Sequence, residues 1–299
     1  MNEIGLLFTI SSTILLGSNK LAVRATILGM NDALATLFSI VIAIPIFGVP
    51  LLIYGWGPKP LSLEAIGIFA AAGIVNYSVG RWMIWKSIGL VGANRGNILA
   101  ASQSIYAIAI AVAFLGQTVD LYTGLGFALV LIGILIISYR KSVQSKFITK
   151  AQMRSGLIYG IMGALFWGLA QDLMQIGIKQ YSNPVGATFL TYSLALIGML
   201  PMFFFISRST AKHGGNPFRF SRRSFAFVVL ATVMGSFAQF FRYSALVTIP
   251  VTIVASVNGS NPIFTLILSY IFLREIEAID RRTIIGIIFS VVGVVIITF

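Results

Sequence analysis

Of the eight acidic side chains in this chain of 299 residues, Asp172 stands well inside a long apolar stretch, while Glu3, Asp32, Glu64, Asp120, Glu275, Glu277 and Asp280 fall at the ends of such stretches or between them. A carboxyl in hydrocarbon costs at least ~2.5–3.5 kcal/mol, so it must face a cavity or a partner. Asp172 is placed to carry a proton across an apolar barrier; an ion pair with Lys20, Lys179 or an arginine is the structural alternative. Arg81, Arg95 and Arg242 fall in three other apolar stretches. A guanidinium grips a carboxylate or phosphate in two-point fashion, and near the end of an apolar helix it can instead snorkel to the interface. Between these groups lie the amides Asn19, Asn76, Asn97, Gln103, Gln171, Gln175, Gln239, Asn258 and Asn261, with the rings of Tyr77, Trp82, Trp85, Tyr106, Trp167 and Tyr243. Amides can bond a substrate amine or carboxylate, and rings can line a pocket for an apolar group or a cation. Hydrogen bonds between helices and aromatic belts at an interface account for the same residue types.

The elements that must hold these groups follow from composition. With 58% hydrophobic residues, 10% charged residues and a mean hydropathy of +0.95, the chain cannot clothe a soluble domain, which carries roughly 25% charged side chains. A membrane-spanning helix needs ~20 apolar residues. By that ruler ten spans fit, at 4–25, 32–54, 63–85, 94–115, 121–139, 155–178, 185–207, 224–247, 250–273 and 282–298. The first is no cleaved leader, since it begins with Glu3, lacks a small-residue cleavage site and is followed directly by a second span. There is no Cys, so thiol chemistry is excluded, and the single His213 lies in a basic connection. Metal and catalytic residues are therefore expected to be absent, and no cofactor is called for.

Two halves of the sequence can be superposed. An offset of 151 lays Gly5, Thr9, Thr13 and Gly17 on Gly156, Gly160, Ala164 and Gly168, each quartet forming a ridge of small side chains on one helix face. An offset of 158 aligns Trp85-Lys86-Ser87-Ile88 with Tyr243-Ser244-Ala245-Leu246, and Ser102 with Ser260; an offset of 160 matches Gly126 and Gly133 to Gly286 and Gly293. Landmarks recurring in order at nearly constant offset argue for a duplicated five-span unit. An odd number of spans turns the second copy upside down, giving inverted repeats. Within the ninth span, Asn258-Gly259-Ser260-Asn261-Pro262 predicts a kink that could gate; Ala100-Ala101-Ser102-Gln103-Ser104 has the polar groups without the proline, so any hinge is expected to be asymmetric.

Leu15-Leu16-Gly17-Ser18-Asn19 and Phe166-Trp167-Gly168 resemble the W-G motif that opens each repeat of the EamA-type transporters, and Tyr243-Ser244-Ala245-Leu246, then Pro262, then Phe272-Leu273-Arg274-Glu275 resembles that family's Y-x-A-L…P…L-x-E pattern. The chain is thus similar to the ten-helix EamA-like branch of the drug/metabolite transporter superfamily. Leu16, Gln117 and Ser104 depart from the pattern in the first copy. The resemblance implies an all-α membrane protein of ten helices in two inverted repeats around a central cavity: residues 1–142, a basic connecting loop at 143–154, and residues 155–299. It implies a secondary transporter, commonly outward, of amino acids or related metabolites, with Asn19, Asn76, Tyr77, Arg81, Trp82, Gln103, Trp167, Gln171, Gln239, Arg242, Tyr243, Asn258 and Asn261 as substrate-binding candidates and Asp172 for proton coupling. A nucleotide-sugar or sugar-phosphate antiporter of the same fold is the alternative. A membrane-embedded enzyme or receptor is a remote third, because no HExxH, GxSxG or nucleotide loop is present.

The net charge of +13 invites a nucleic-acid reading, but no recognition motif accompanies it. Most of the 21 Lys and Arg residues, Lys20, Arg24, Arg81 and Lys86 among them, fall toward the odd-numbered connections; Lys59, Lys179 and Arg242 fall toward the other face. That is the positive-inside bias, which puts the odd connections in the cytoplasm and both termini outside the cell membrane, whereas the family resemblance implies termini inside; the charge count, a property of this chain, takes precedence. The expected partners are a small-molecule substrate and the lipid bilayer, with a monomer sufficient.

Overall fold

The computed structural model describes residues 3–57, 60–91, 96, 99–138, 149–261, 263–265 and 281–298. The expectations for Arg95, Asn97, Pro262 and the Phe272–Glu275 motif lie outside these residues. Among the described residues all regular structure is helical: α1 (Glu3–Gly29), α2 (Asp32–Tyr54), α3 (Leu63–Gly73), a π-helical stretch (Ile74–Gly80), α4 (Arg81–Val91), α5 (Gln103–Leu115), α6 (Leu121–Ser138), α7 (Lys150–Tyr181), α8 (Pro184–Lys212), α9 (Arg222–Leu246), α10 (Val251–Asn258) and α11 (Arg281–Thr298). Six are long and apolar enough to cross a membrane, with Leu63–Val91 counting as one continuous helix.

Helix ends follow local chemistry. Thr149 and Gln152 form a reciprocal capping box, which satisfies two orphan backbone donors. As a result α7 begins at Lys150, and the last residues of the expected 143–154 loop are helical. Ser221 and Ser224 cap α9 in the same way, Asn183 caps α8 with Pro184 as its first residue, and Gly116 ends α5 in the left-handed region at φ 62°. The helices are longer than the expected spans: α1 runs to Gly29 and the third span to Val91.

The principal helix pairings come in matched sets. α1 packs on α9 as α7 packs on α3 and α4; α10 lies against α1 as α5 lies against α7; α2–α8, α5–α10 and α6–α11 each join a helix to its own counterpart. The glycine contacts repeat atom for atom. A Cβ on Gly17 would lie 2.6 Å from Phe264 Cβ, 2.7 Å from the Asn261 carbonyl and 3.1 Å from Thr265 N. A Cβ on Gly168 would lie 2.7 Å from Tyr106 Cβ, 2.9 Å from the Gln103 carbonyl and 2.9 Å from Ala107 N. These partners are the same three atoms separated by the 158-residue offset, on glycines separated by 151. Gly5 against Thr248 and Ile249 repeats as Gly156 against Leu90 and Val91.

Both copies break at equivalent serines: Ser102 N bonds Leu99 O at 3.2 Å and Ser260 N bonds Val257 O at 3.0 Å, each a tightened three-residue turn. The hydroxyls do likewise, Ser102 Oγ donating to Leu99 O (2.6 Å) and Ser260 Oγ to Val257 O (2.7 Å). A serine bonding back to its own preceding turn bends a helix without help from proline, which is why the copy lacking the proline is broken too.

Gly168→Ala is expected to lower stability by about 1–3 kcal/mol through overpacking, whereas Gly67→Ala, which meets nothing within 4 Å, should raise it by up to ~1 kcal/mol through helix propensity. Thermal unfolding in detergent measures both; equal shifts in the two variants would remove the close-approach account.

Candidate functional site

Phe8 stacks on Phe241 with centroids 5.8 Å apart, and Ser224 Oγ donates to the Gly29 carbonyl at 3.1 Å, so α1 and α9 run antiparallel. Helix side chains lean toward their own N-terminus. Lys20 on α1 and Arg242 on α9 therefore reach toward one another, and the charges of Arg242 and Arg81 both bear on the Lys20 ammonium. Lys20 is 5% exposed, Arg81 8% and Arg242 3%. Lys20 and Arg81, counted toward a membrane face in the sequence, are thus enclosed within the helix bundle.

Arg81 is held on several sides. Its guanidinium carbon lies 4.5 Å from the Tyr77 ring centre and 5.4 Å from that of Tyr192, Nη1 donates to Ser39 Oγ at 2.8 Å, and Nη2 donates to Tyr192 OH at 3.2 Å. Tyr77 and Tyr192 stack 4.0 Å apart, and the hydroxyls of Tyr77 and Tyr243 share a hydrogen bond of 2.8 Å. The π-helical stretch makes this placement possible. One wide turn lets the Arg81 backbone N–H bond Asn76 O, and the same carbonyl accepts Trp167 Nε1 at 3.1 Å. Lys20 Nζ then sits 4.7 Å from the Trp167 ring centre. Wide turns of this kind recur at functional sites.

The second group is acidic and amidic. Gly168, Asp172 and Gln175 share one face of α7, spaced by four and three residues. Gly168 meets Gln103 and Tyr106, and Gln175 bonds Gln117, so Asp172 faces the α5 side between them. Gln171 Nε2 reaches Gln103 Oε1 at 3.4 Å. Asp172 is 2% exposed, and neither carboxyl oxygen has a hydrogen-bond partner. The ion pair weighed for Asp172 is not formed: the ion pair among the described residues is Lys86–Asp32 at 3.2 Å. Lys20 is drawn over Trp167 instead, and Lys179 is exposed two helical turns away.

The expected residues thus divide. Asn76, Tyr77, Arg81, Trp167, Arg242 and Tyr243 converge with Lys20, and Gln103 and Gln171 adjoin them through Trp167, whose carbonyl accepts from Gln171 at 3.5 Å. Gln239 is buried with Oε1 unpartnered. Trp82 turns aside to meet Tyr159 edge-on at 5.5 Å. Asn19 bonds the Ala231 carbonyl, tying α1 to α9. Asn258 accepts from Thr13 Oγ1 at 2.8 Å while its own amide nitrogen is unpartnered, and Asn261 bonds back to the Asn258 carbonyl at 2.9 Å. Reading the sequence missed Lys20 as a site residue and missed Tyr192, Ser39 and Ser236, whose Oγ donates to Tyr192 OH at 3.4 Å, altogether. Nothing in their local sequence distinguishes them from packing residues. Toward one end, a cavity of 210 Å³ is lined by Ile27, Asn31, Asp32, Trp85, Lys86, Gly89 and Leu90, beside the ion pair.

Arg242 makes no hydrogen bond among the described residues, and its buried Nε is unpartnered. Burying an uncompensated charge is costly, and exchanging buried ionic groups for apolar ones commonly stabilises by about 1–4 kcal/mol. Arg242→Met is therefore expected to raise the melting temperature of the ligand-free protein in detergent. A lower melting temperature would mean that the guanidinium stabilises the fold.

The sequence profile of the EamA-like transporter family matches residues 3–139 and again residues 154–299. A solved structure described only as the crystal structure of a protein shares the fold, with a TM-score of 0.76 over 100% of this chain and 98% of its own at 12% identity. No curated protein matches the sequence.

Proposed function

The chain belongs to the EamA-like transporter family, and from that membership we propose that this multi-pass membrane transporter moves a small metabolite by alternating access between two inverted five-helix repeats. The matched helix pairings and the glycine contacts related by fixed offsets support the repeat reading. Serine-centred breaks on both sides of the interior supply a pair of hinges of equal construction. The cell membrane, with the cytoplasm on the side of the odd-numbered connections, is the location that the basic bias favours. Setting aside Lys20 and Arg81, the sequence still has Arg24, Lys86, Arg95, Arg140, Lys141, Lys146, Lys150, Arg154, Arg208, Lys212, Arg219, Arg222, Arg223, Arg274, Arg281 and Arg282 toward that side.

The observation that carries the substrate reading is the meeting of Lys20, Arg81 and Arg242 in one buried cluster. Such a cluster suits cargo with an anionic group. An amino acid supplies one through its carboxylate; a nucleotide sugar or sugar phosphate supplies one through phosphate, and the number of cations favours this second reading. Outward transport rests on the family resemblance alone.

Asp172 is the proposed proton carrier. It is separate from the cations, buried and without a polar partner, so changing its charge breaks no ion pair. In proteoliposomes, Asp172→Asn is expected to abolish proton movement coupled to transport, read by an internal pH dye, while ligand binding is retained. Unchanged proton movement would exclude Asp172 from the role.

A further inference from the structure

We propose that the interior site is built for a small organic dianion, a phosphate monoester or a dicarboxylate, and discriminates against zwitterions and monoanions. This rests on the carrier reading above and specifies its cargo. Arg81 has two ring faces and two hydroxyl acceptors. Lys20 has one ring face and no hydrogen bond among the described residues. Arg242 has neither, and its unpartnered Nε is closed off from solvent. No carboxylate among the described residues pairs with any of the three; among those residues Asp172 has no hydrogen-bond partner, and the nearby phenols form their own hydrogen bond.

Two positive charges are therefore left with open donors while the third is already held by its surroundings. A monoanion would leave one of the two uncompensated, and a zwitterion would bring its ammonium into a cluster of like charge, which is repelled. A dianion offers acceptors to both Lys20 and Arg242 and leaves Arg81 as a fixed positive wall. The ligand requires no carboxylate from the protein, in keeping with the lack of one beside the cations.

The test uses the full-length protein in detergent, titrated with glycerol 3-phosphate, succinate, lactate and leucine and read by calorimetry and thermal shift. At least one of the two dianions is expected to bind, and to bind about tenfold or more tightly than lactate and leucine. Which dianion binds distinguishes phosphate from dicarboxylate. Lys20→Gln and Arg242→Gln should each weaken it by about tenfold or more, with Lys20→Arg retaining most of the affinity and the exposed Arg208→Gln changing nothing. Melting curves of the free variants check that they fold; should Lys20→Gln fail to fold, Lys20→Arg and Arg242→Gln decide. Leucine or lactate binding as tightly as the dianions, neither dianion binding, or binding indifferent to both variants would overturn the proposal. Its failure is distinct from that of the carrier reading: dianion binding with no flux in proteoliposomes removes the carrier, whereas leucine flux without dianion binding removes only the dianion.

Discussion

The architecture depends on glycines at which a helix approaches another closely enough that a single methyl group would collide, and Gly17 and Gly168 are a pair of them related by the repeat. In a bilayer, helix association gains little from hydrophobic burial, because lipid is as apolar as the helix surface; close van der Waals contact has to supply the attraction. At each place the glycine meets a segment just past a serine-bonded helix break, so the tight contact and the flexible turn are adjacent. The broken helices are held by their neighbours while remaining able to bend.

Around that frame the interior is unusual in what it leaves unpaired. Buried polar groups are ordinarily satisfied, and exceptions ask for an explanation. Here, among the described residues, the exceptions include Arg242 Nε, Gln239 Oε1, Gln171 Oε1, both oxygens of Asp172 and the amide nitrogen of Asn258, besides Trp82 Nε1 and the hydroxyls of Ser12, Ser104 and Ser193. Packing alone does not select such residues, since apolar side chains of similar volume would be less costly there. The π-helical stretch belongs to the same economy: its wide turn leaves Asn76 O serving both Arg81 of its own helix and Trp167 of the other half.

Much of this was legible in the sequence. Small residues in steps of four marked the ridges, and the offsets of 151 and 158 read from the sequence recur in the glycine contacts, while the helix that each ridge meets is visible only in the structure. Asp172 was identifiable because an acid in an apolar run has few bland explanations. Lys20 was not, because a cation near the end of an apolar run reads as one facing the membrane surface, and its enclosure shows only in the folded bundle. Tyr192 and Ser39 were hidden for a different reason: their role arises from side chains on three separate elements meeting at Arg81. Proline drew attention to one helix break and away from its twin, where serine alone does the work.

The two halves match in contact but not in charge. Applying the same offsets inside the site places Gln171 where Lys20 stands and Gln239 where Arg81 stands. Identical halves would make the two end states of a rocking carrier mirror images of equal energy. Amides opposite cations break that equality, and a difference of about 1.4 kcal/mol already populates one state tenfold over the other. If the protein alternates as proposed, the unloaded carrier has a resting side. Detailed balance forbids such a preference from pumping by itself, but it makes the concentration for half-saturation differ on the two faces of the membrane, so that the same site is a sensitive receiver on one side and a ready releaser on the other.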